Sequence, residues 1–381
     1  MKGTLAVSFD VSAVPAKLGG VGRFVSGLLG AINNQTDLSL TLISRTGDIE
    51  RWHEIAPRAT IKDLAPNTRP LRIAWEQARL PKILDSLGVD LHHGPHYTFP
   101  QSATTPSIVT IHDVTYFSNP TWHQMSKVQF FRRAIKTATR LAAGVICDSE
   151  TTRAKLLERF SVSGKVFVIP LGVDHKRFNS DGRDSQDDAN ALAQLGIGYP
   201  YVLYLGTVEP RKDVPTLVRA FDKIAQGHKQ LHLVIAGAPG WGERELATAI
   251  GQVKHRDRII RLGYVPDESV PALVRGAKAV AYPSIEEGFG LPVLEALACA
   301  TPVITTSGTA MEEVGKGAAV IVSPGDDRGL AGALDMVARE DDSLSTRKLK
   351  GLEIAGRFTW DNACERHIEA YRAVVDRVIG P

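Results

Sequence analysis

Two glutamates separated by seven residues bracket a glycine turn in Glu287-Gly-Phe-Gly-Leu-Pro-Val-Leu-Glu295. An apolar run from Ala277 to Pro283 precedes the turn and reads as a buried strand. Pro292 and the run Val293 to Ala300 follow and read as a helix, with proline tolerated in its first turn. The turn therefore falls at the carboxyl end of a strand and the amino end of a helix, where open α/β sheets take ligands. Gly288 and Gly290 admit a ligand close to the backbone, and the free N–H groups of the helix start favour an anion. A carboxylate at the same spot suits neutral hydroxyls, from which it accepts hydrogen bonds, better than phosphate. Phosphate donors beside hydroxyl acceptors point to a nucleotide-sugar pocket.

Other segments supply complementary groups. Gly206-Thr-Val-Glu-Pro-Arg-Lys212 follows an apolar strand pattern. Arg211 and Lys212 there suit a diphosphate, the first as a planar fork and the second as a point charge, and would offset charge developing on a leaving nucleotide diphosphate. A solvated basic pair is the commoner fate of such neighbours; the strand-end position favours the diphosphate. Gly19-Gly20-Val21-Gly22-Arg23 follows the first strand and opens a helix, as phosphate-cradling loops do. It lacks both the dinucleotide fingerprint and the P-loop lysine, so it also reads as a plain turn. In Thr110-Ile111-His112-Asp113 the histidine falls at a strand's carboxyl end, where it could hydrogen-bond a sugar hydroxyl, shuttle a proton, or simply belong to a structural turn. The run His92-His93-Gly94-Pro95-His96 resembles a metal site, but adjacent strand residues point to opposite faces and no cysteine or carboxylate joins them nearby. A ligand-lining loop is the better reading, and no metal is expected.

The elements that must carry these groups alternate. Strand patterns at Leu5–Val11, Leu38–Ser44, Val89–His92, Ser107–His112, Gly144–Asp148 and Val166–Pro170 are separated by amphipathic segments such as Val25–Ile32, Trp75–Leu87 and Val128–Leu141. The polar stretch Asp174 to Asp188 interrupts them and reads as a linker. Alternation then resumes at Tyr201–Leu205, Leu231–Ala236, Ile259–Gly263, Ala279–Pro283, Pro302–Thr305 and Ala318–Val322. Two parallel-sheet α/β domains, with a cleft between them, are predicted. Trp360, Cys364, Ile368, Tyr371, Val375 and Val378 recur at helical spacing after the plausible cap Thr359. Periodicity alone leaves open whether that helix packs on the second domain or crosses back to the first.

With 381 residues, 43% hydrophobic and 23% charged, the composition is that of a soluble globular chain of two domains. No run of 18 apolar residues reads as a spanning helix, and the amino terminus runs into a strand pattern without a signal-peptide shape. Cys147, Cys299 and Cys364 are isolated in apolar segments, so a reducing cytoplasm is expected rather than a disulfide framework. Residues 1–172 carry 20 Lys+Arg against 13 Asp+Glu, and the remainder 25 against 29. The basic first half, with the aromatic-interleaved segment Lys127–Lys136, suits either an anionic membrane surface or an ordinary solvated helix face. No nucleic-acid-binding module is found.

The Glu287–Glu295 stretch resembles the paired-glutamate motif of the retaining GT-B glycosyltransferases of family 4. Five further stretches match that family in order: Gly19–Arg23, Thr110–Asp113, Ile169-Pro-Leu-Gly-Val-Asp174, Gly206–Lys212 and Gly263-Tyr264-Val265. The branch it is most similar to is the bacterial mannosyltransferases of O-antigen and exopolysaccharide assembly. The resemblance implies two Rossmann-like domains facing a central cleft: residues 1–173 with a returning helix 359–381, a linker 174–200, and residues 201–358. It implies a nucleotide-sugar donor, GDP-mannose by branch, held by the second domain, and a glycan or lipid-linked saccharide acceptor held by the first, with no metal or other cofactor. Glu287 would bind the transferred hexose, the N–H groups of Phe289, Gly290 and Leu291 sugar and phosphate, Glu295 the ribose, and Val265 the base. Arg211 and Lys212 would hold the diphosphate, Gly20 beside Gly19 would close on it, and His112 would contact the sugar near its anomeric carbon. Where many members have an arginine directly after the strand-end glycine, this chain has Thr207, and Arg211 is taken as the substitute. A peripheral place on the inner membrane face is expected. An epimerase, a phosphorylase, a transferase using a UDP- or dTDP-sugar, or a non-catalytic binder of the same fold are the alternatives.

Overall fold

Short Val-, Ile- and Leu-rich runs bounded by polar turns are too brief for helices and are buried on both faces, which suits parallel strands covered by helices on either side. A computed structural model describes residues 3–15, 19–183 and 185–379. The chain divides into two units, Met1–Gly172 with Thr359–Pro381, and Val173–Phe358.

The first unit holds β1 (Leu5–Asp10), β2 (Leu38–Arg45), β3 (Thr60–Ala65), β4 (Leu91–Gly94), β5 (Ser107–Ile111), β6 (Gly144–Cys147) and β7 (Lys165–Val168). They form one sheet in the order β3-β2-β1-β4-β5-β6-β7, and all registers are parallel. Its helices include α1 (Gly20–Ile32), α2 (Arg69–Ala78), α3 (Leu80–Leu87) and α4 (Met125–Leu141). The second unit holds β8 (Tyr201–Leu205), β9 (His232–Ala236), β10 (Ile259–Gly263), β11 (Ala279–Tyr282), β12 (Val303–Thr306) and β13 (Val320–Val322), in the parallel order β10-β9-β8-β11-β12-β13. Its helices include α5 (Gln186–Gln194), α6 (Val270–Gly276) and α7 (Leu291–Ala298), and the chain ends in α8 (Trp360–Ile379). Strand order reverses between β1 and β4 in one sheet and between β8 and β11 in the other, which marks the ligand edge of each. The two Rossmann-like units of the GT-B fold are therefore present.

Three local readings change. β3 is absent from the sequence reading because Lys62 and Asp63 break its apolar pattern; it is an edge strand paired only with β2. The single segment Trp75–Leu87 is two helices, because Pro81 in the first turn of α3 has no N–H to continue α2. The stretch 174–200 is not a free linker. It carries α5, whose cap Ser185 accepts from the Asp188 N–H, and Asp188 forms a two-pronged ion pair with Arg275 of α6 at 2.7 Å per prong. Its polarity belongs to a buried charge pair rather than to solvent.

The last helix returns to the first unit. The Thr359 hydroxyl accepts from the Asn362 N–H at 3.0 Å, as a cap should. Farther along, the Tyr371 hydroxyl meets His93 Nδ1 at 2.7 Å, while His93 Nε2 meets the Thr110 hydroxyl at 2.8 Å. His367 stacks on His93 with ring centroids 5.8 Å apart and donates through Nδ1 to the Ala363 carbonyl.

This histidine cluster carries a pH dependence. Burial pushes the pKa of His92 and of His367 down to about 4, and holds His93 well below its usual value. In the unfolded chain these rings titrate near 6.5, at roughly the reference value. Between about 6.5 and 4 the unfolded state binds protons that the folded state does not, so stability falls as pH drops through that window. Each ring accounts for about 1.4 kcal/mol per pH unit there. Melting temperature is expected to drop between pH 7 and pH 5, and His367→Leu to flatten the slope. An unchanged melting temperature in both proteins would refute the assignment.

Candidate functional site

On the second unit the chain end of β8 and the chain end of β11 bring three of the predicted residues, Arg211, Lys212 and Glu287, together. The 3-10 turn 210–212 after β8 carries Arg211 and Lys212, and the turn after β11 carries Ser284, Glu286 and Glu287. The Ile285 N–H donates to the Arg211 carbonyl at 2.7 Å and joins the two turns. Arg211 donates through Nε to Glu209 at 2.7 Å and through Nη1 to Glu287, and reaches the Glu286 carbonyl at 3.3 Å. The Ser284 hydroxyl donates to the other oxygen of Glu287 at 3.2 Å, and Thr306 donates to the Ser284 carbonyl. Glu287 is thus fixed from both sides.

Lys212 is placed differently. It is only 8% exposed, with its ammonium 5.6 Å from the centre of the Tyr282 ring. Tyr282 in turn stacks on Tyr204, centroids 5.5 Å apart. A Cβ on Gly206 would lie 2.9 Å from the Lys212 nitrogen, so the missing side chain at 206 is what admits the cation. Among the described residues no carboxylate and no hydrogen-bond acceptor takes this ammonium. The two basic residues, read together from sequence, therefore separate. Arg211 is matched by two carboxylates and orients Glu287, whereas Lys212 is a desolvated positive charge, the arrangement that attracts an anion.

The glycine turn leads into α7. Gly290 caps the helix with φ +108°, and a Cβ there would lie 2.6 Å from Met311 Cγ. Glycine at 290 is thus required by backbone hand and by packing within the unit. Phe289 and Leu291 flank it and are buried, with no side-chain cap over the first N–H groups of α7. Glu295, one turn on, is 3% exposed. Val265 follows Gly263 at the end of β10 and is buried, while its neighbour Tyr264 is exposed.

On the first unit the other predicted residues gather at the ends of β1, β4, β5 and β6. Gly19 and Gly20 start α1 without a side-chain cap and with open space where a Cβ would stand. Phe24 of that helix packs edge-on to His112 at 5.3 Å between ring centres. His112 Nδ1 faces Asp148 at 2.7 Å, and Nε2 donates to the Pro95 carbonyl at 2.9 Å. Burial works against its charge, yet the Asp148 carboxylate outweighs it and holds the pKa above the usual value. The Pro95 carbonyl and the Asp148 carboxylate anchor the ring at each end and both favour its protonated form. Sequence reading missed Asp148, Ser284, Glu209 and the two tyrosines. Glu209 stood inside the basic motif, three residues from Lys212, and its pairing with Arg211 was the available signal. Among the described residues no group of three or more His, Cys, Asp or Glu is placed to hold a metal ion, and no helix is long and apolar enough to cross a membrane.

Comparison with known proteins meets this geometry. Residues 18–177 match the family model Glycosyltransferase Family 4, and residues 188–349 match Glycosyl transferases group 1. The chain is 27% identical over 285 residues to the O-antigen chain mannosyltransferase B of Escherichia coli, spanning 74% of each protein. It is 26% identical over 268 residues to the O-antigen chain mannosyltransferase RfbU of Salmonella typhimurium, 70% of this chain and 69% of that one. In fold it is similar to the sucrose-phosphate synthase of Thermosynechococcus elongatus, with a TM-score of 0.77 at 22% identity over 98% of this chain and 100% of that one.

Proposed function

The chain belongs to the glycosyltransferases, with a family 4 domain in its first half and a group 1 domain in its second, and from that premise we propose that it transfers mannose from GDP-mannose. The acceptor in this reading is a hydroxyl of a glycan or lipid-linked saccharide in cell-surface polysaccharide synthesis. The mannosyltransferase names of its relatives support the sugar. The observation that carries the reading is the unmatched, desolvated Lys212 beside a Glu287 fixed by Arg211 and Ser284. Lys212 and the start of α7 hold the diphosphate, and Glu287 accepts hydrogen bonds from hydroxyls of the transferred hexose. Glu295 serves the ribose and Val265 the base.

Transfer proceeds with retention. The bond from the anomeric carbon to the diphosphate oxygen breaks, the acceptor oxygen bonds the same face, and its proton passes to the departing diphosphate. Glu287, tied to Arg211, is not positioned as a free nucleophile. Lys212 stabilises the leaving charge, so no metal is required. A thermal-shift panel tests the donor: GDP-mannose is expected to raise the melting temperature, UDP-sugars are not, and EDTA leaves both transfer and shift intact. A shift with UDP-glucose alone would replace the donor assignment.

The first unit also meets an anionic membrane surface in this proposal. On α4, Lys127, Arg133, Lys136 and Arg140 accompany the exposed Met125 and Leu141, and Arg69 lies over the Phe130 ring at 5.1 Å. Sedimentation with vesicles containing phosphatidylglycerol is expected, and is expected to fail in high salt. Equal binding to neutral vesicles would contradict it.

A further inference from the structure

The histidine run at the end of β4 contains one ring that neither the core nor the proposed donor chemistry uses. His92 meets the Ser8 hydroxyl at 3.1 Å and His93 is bonded at both nitrogens, and both are fully buried. His96 is half-buried, and among the described residues no hydrogen bond reaches either of its ring nitrogens. Its ring is nevertheless firmly placed. It packs edge-on to Tyr97 at 4.9 Å and to Phe131 at 5.5 Å, and lies 5.8 Å from the His112 ring. The backbone that presents it is strained. Tyr97 has φ +65°, and the Thr98 N–H donates to the His96 carbonyl at 2.8 Å, closing a three-residue turn of the rarer hand. The Tyr97 N–H and hydroxyl hold that turn, the first donating to the Thr110 carbonyl and the second accepting from the Asp113 N–H. Such strain persists where surrounding structure enforces it, and it collects at ligand sites. The turn stands beside the β1–β4 reversal, the ligand edge of this sheet.

We propose that His96 is a contact for the acceptor, its imidazole hydrogen-bonding a hydroxyl of the saccharide that receives the transferred sugar. The proposal rests on the glycosyl-transfer reading above. A neutral imidazole both donates and accepts, which matches a hydroxyl and not an anion. Burial, then the neighbouring His112, Arg72 and Arg69 charges, push the His96 pKa down to about 3, so the ring stays neutral across the working range. So weak a base positions the acceptor oxygen and does not deprotonate it.

The test uses the full chain with GDP-mannose and octyl α-D-mannopyranoside. His96→Phe keeps the ring packing and removes both hydrogen-bonding atoms. It is expected to lower kcat/KM for the mannoside about tenfold or more, roughly what losing one substrate hydrogen bond entails. Acceptor-independent hydrolysis of GDP-mannose and its thermal shift are expected to stay at wild-type values. His96→Gln, which restores a donor and an acceptor, is expected to recover part of the loss. Wild-type mannoside kinetics in His96→Phe would overturn the proposal, as would a parallel fall in donor hydrolysis. A wild-type protein that neither binds nor hydrolyses GDP-mannose would instead remove the donor reading beneath it, and the acceptor contact with it.

Discussion

Lys212→Met is expected to lower kcat/KM for transfer by about 10²–10³-fold, the usual cost of removing one preorganised group that stabilises developing charge. The same substitution is expected to leave the fold intact and to raise its melting temperature. The reason is that Lys212 is 8% exposed, rests against an aromatic ring and, among the described residues, is ion-paired to no carboxylate that would offset its desolvation. Methionine has nearly the same length and no charge. For a unit of this size each kcal/mol recovered is worth roughly 2–4 °C. Opposed effects on activity and stability are the signature of a group kept for function. Lys212→Arg is expected to fail as well, because the Gly206 gap fits a compact ammonium and a planar fork is wider. Differential scanning fluorimetry beside steady-state kinetics decides the matter. A Lys212→Met protein that melts lower and still transfers sugar would show that the cation is structural.

What could be read from sequence follows how local the physics is. The Glu287–Glu295 turn was legible because its strand, glycines, proline and helix are consecutive, and α7 begins at Leu291, directly after the turn. The alternation of strands and helices was legible for the same reason, and it also carried the domain count. Roles that depend on partners far along the chain were not. Arg211 looked like half of a basic pair, but Glu287, 76 residues away, claims it. His112 looked like a free side chain at a strand end, but Asp148, 36 residues away, and the Pro95 carbonyl take both its nitrogens. β3 was invisible because an edge strand needs apolar residues on one face only, and Lys62 and Asp63 hide even that pattern. The returning helix was half legible: its period showed that one face is buried, but His93, which meets Tyr371 and is held in turn by Thr110, is set by the first sheet.

Asp188→Ala is expected to destabilise the second unit by about 3 kcal/mol or more, the usual cost of leaving one partner of a buried ion pair alone. Asp188 takes both Nε and Nη2 of Arg275 at 2.7 Å, and the two residues are 7% and 8% exposed. Arg275 also donates to the Arg177 carbonyl at 3.1 Å, and the Asp188 carboxylate is its only charged partner among the described residues. Removing the carboxylate leaves a guanidinium inside the unit with carbonyls but no counter-charge. The loss would lower the melting temperature by roughly 6–12 °C. Asp188→Asn is expected to be milder, since the amide oxygen keeps one prong. Replacing both residues, Asp188→Ala with Arg275→Met, is expected to recover much of the loss, because the penalty lies in the orphaned charge rather than in the pair itself. The double-mutant cycle therefore separates a segment docked by a buried charge pair from a solvated linker. In a linker all three variants would melt with the wild type, and the pair would then be a surface contact of little worth.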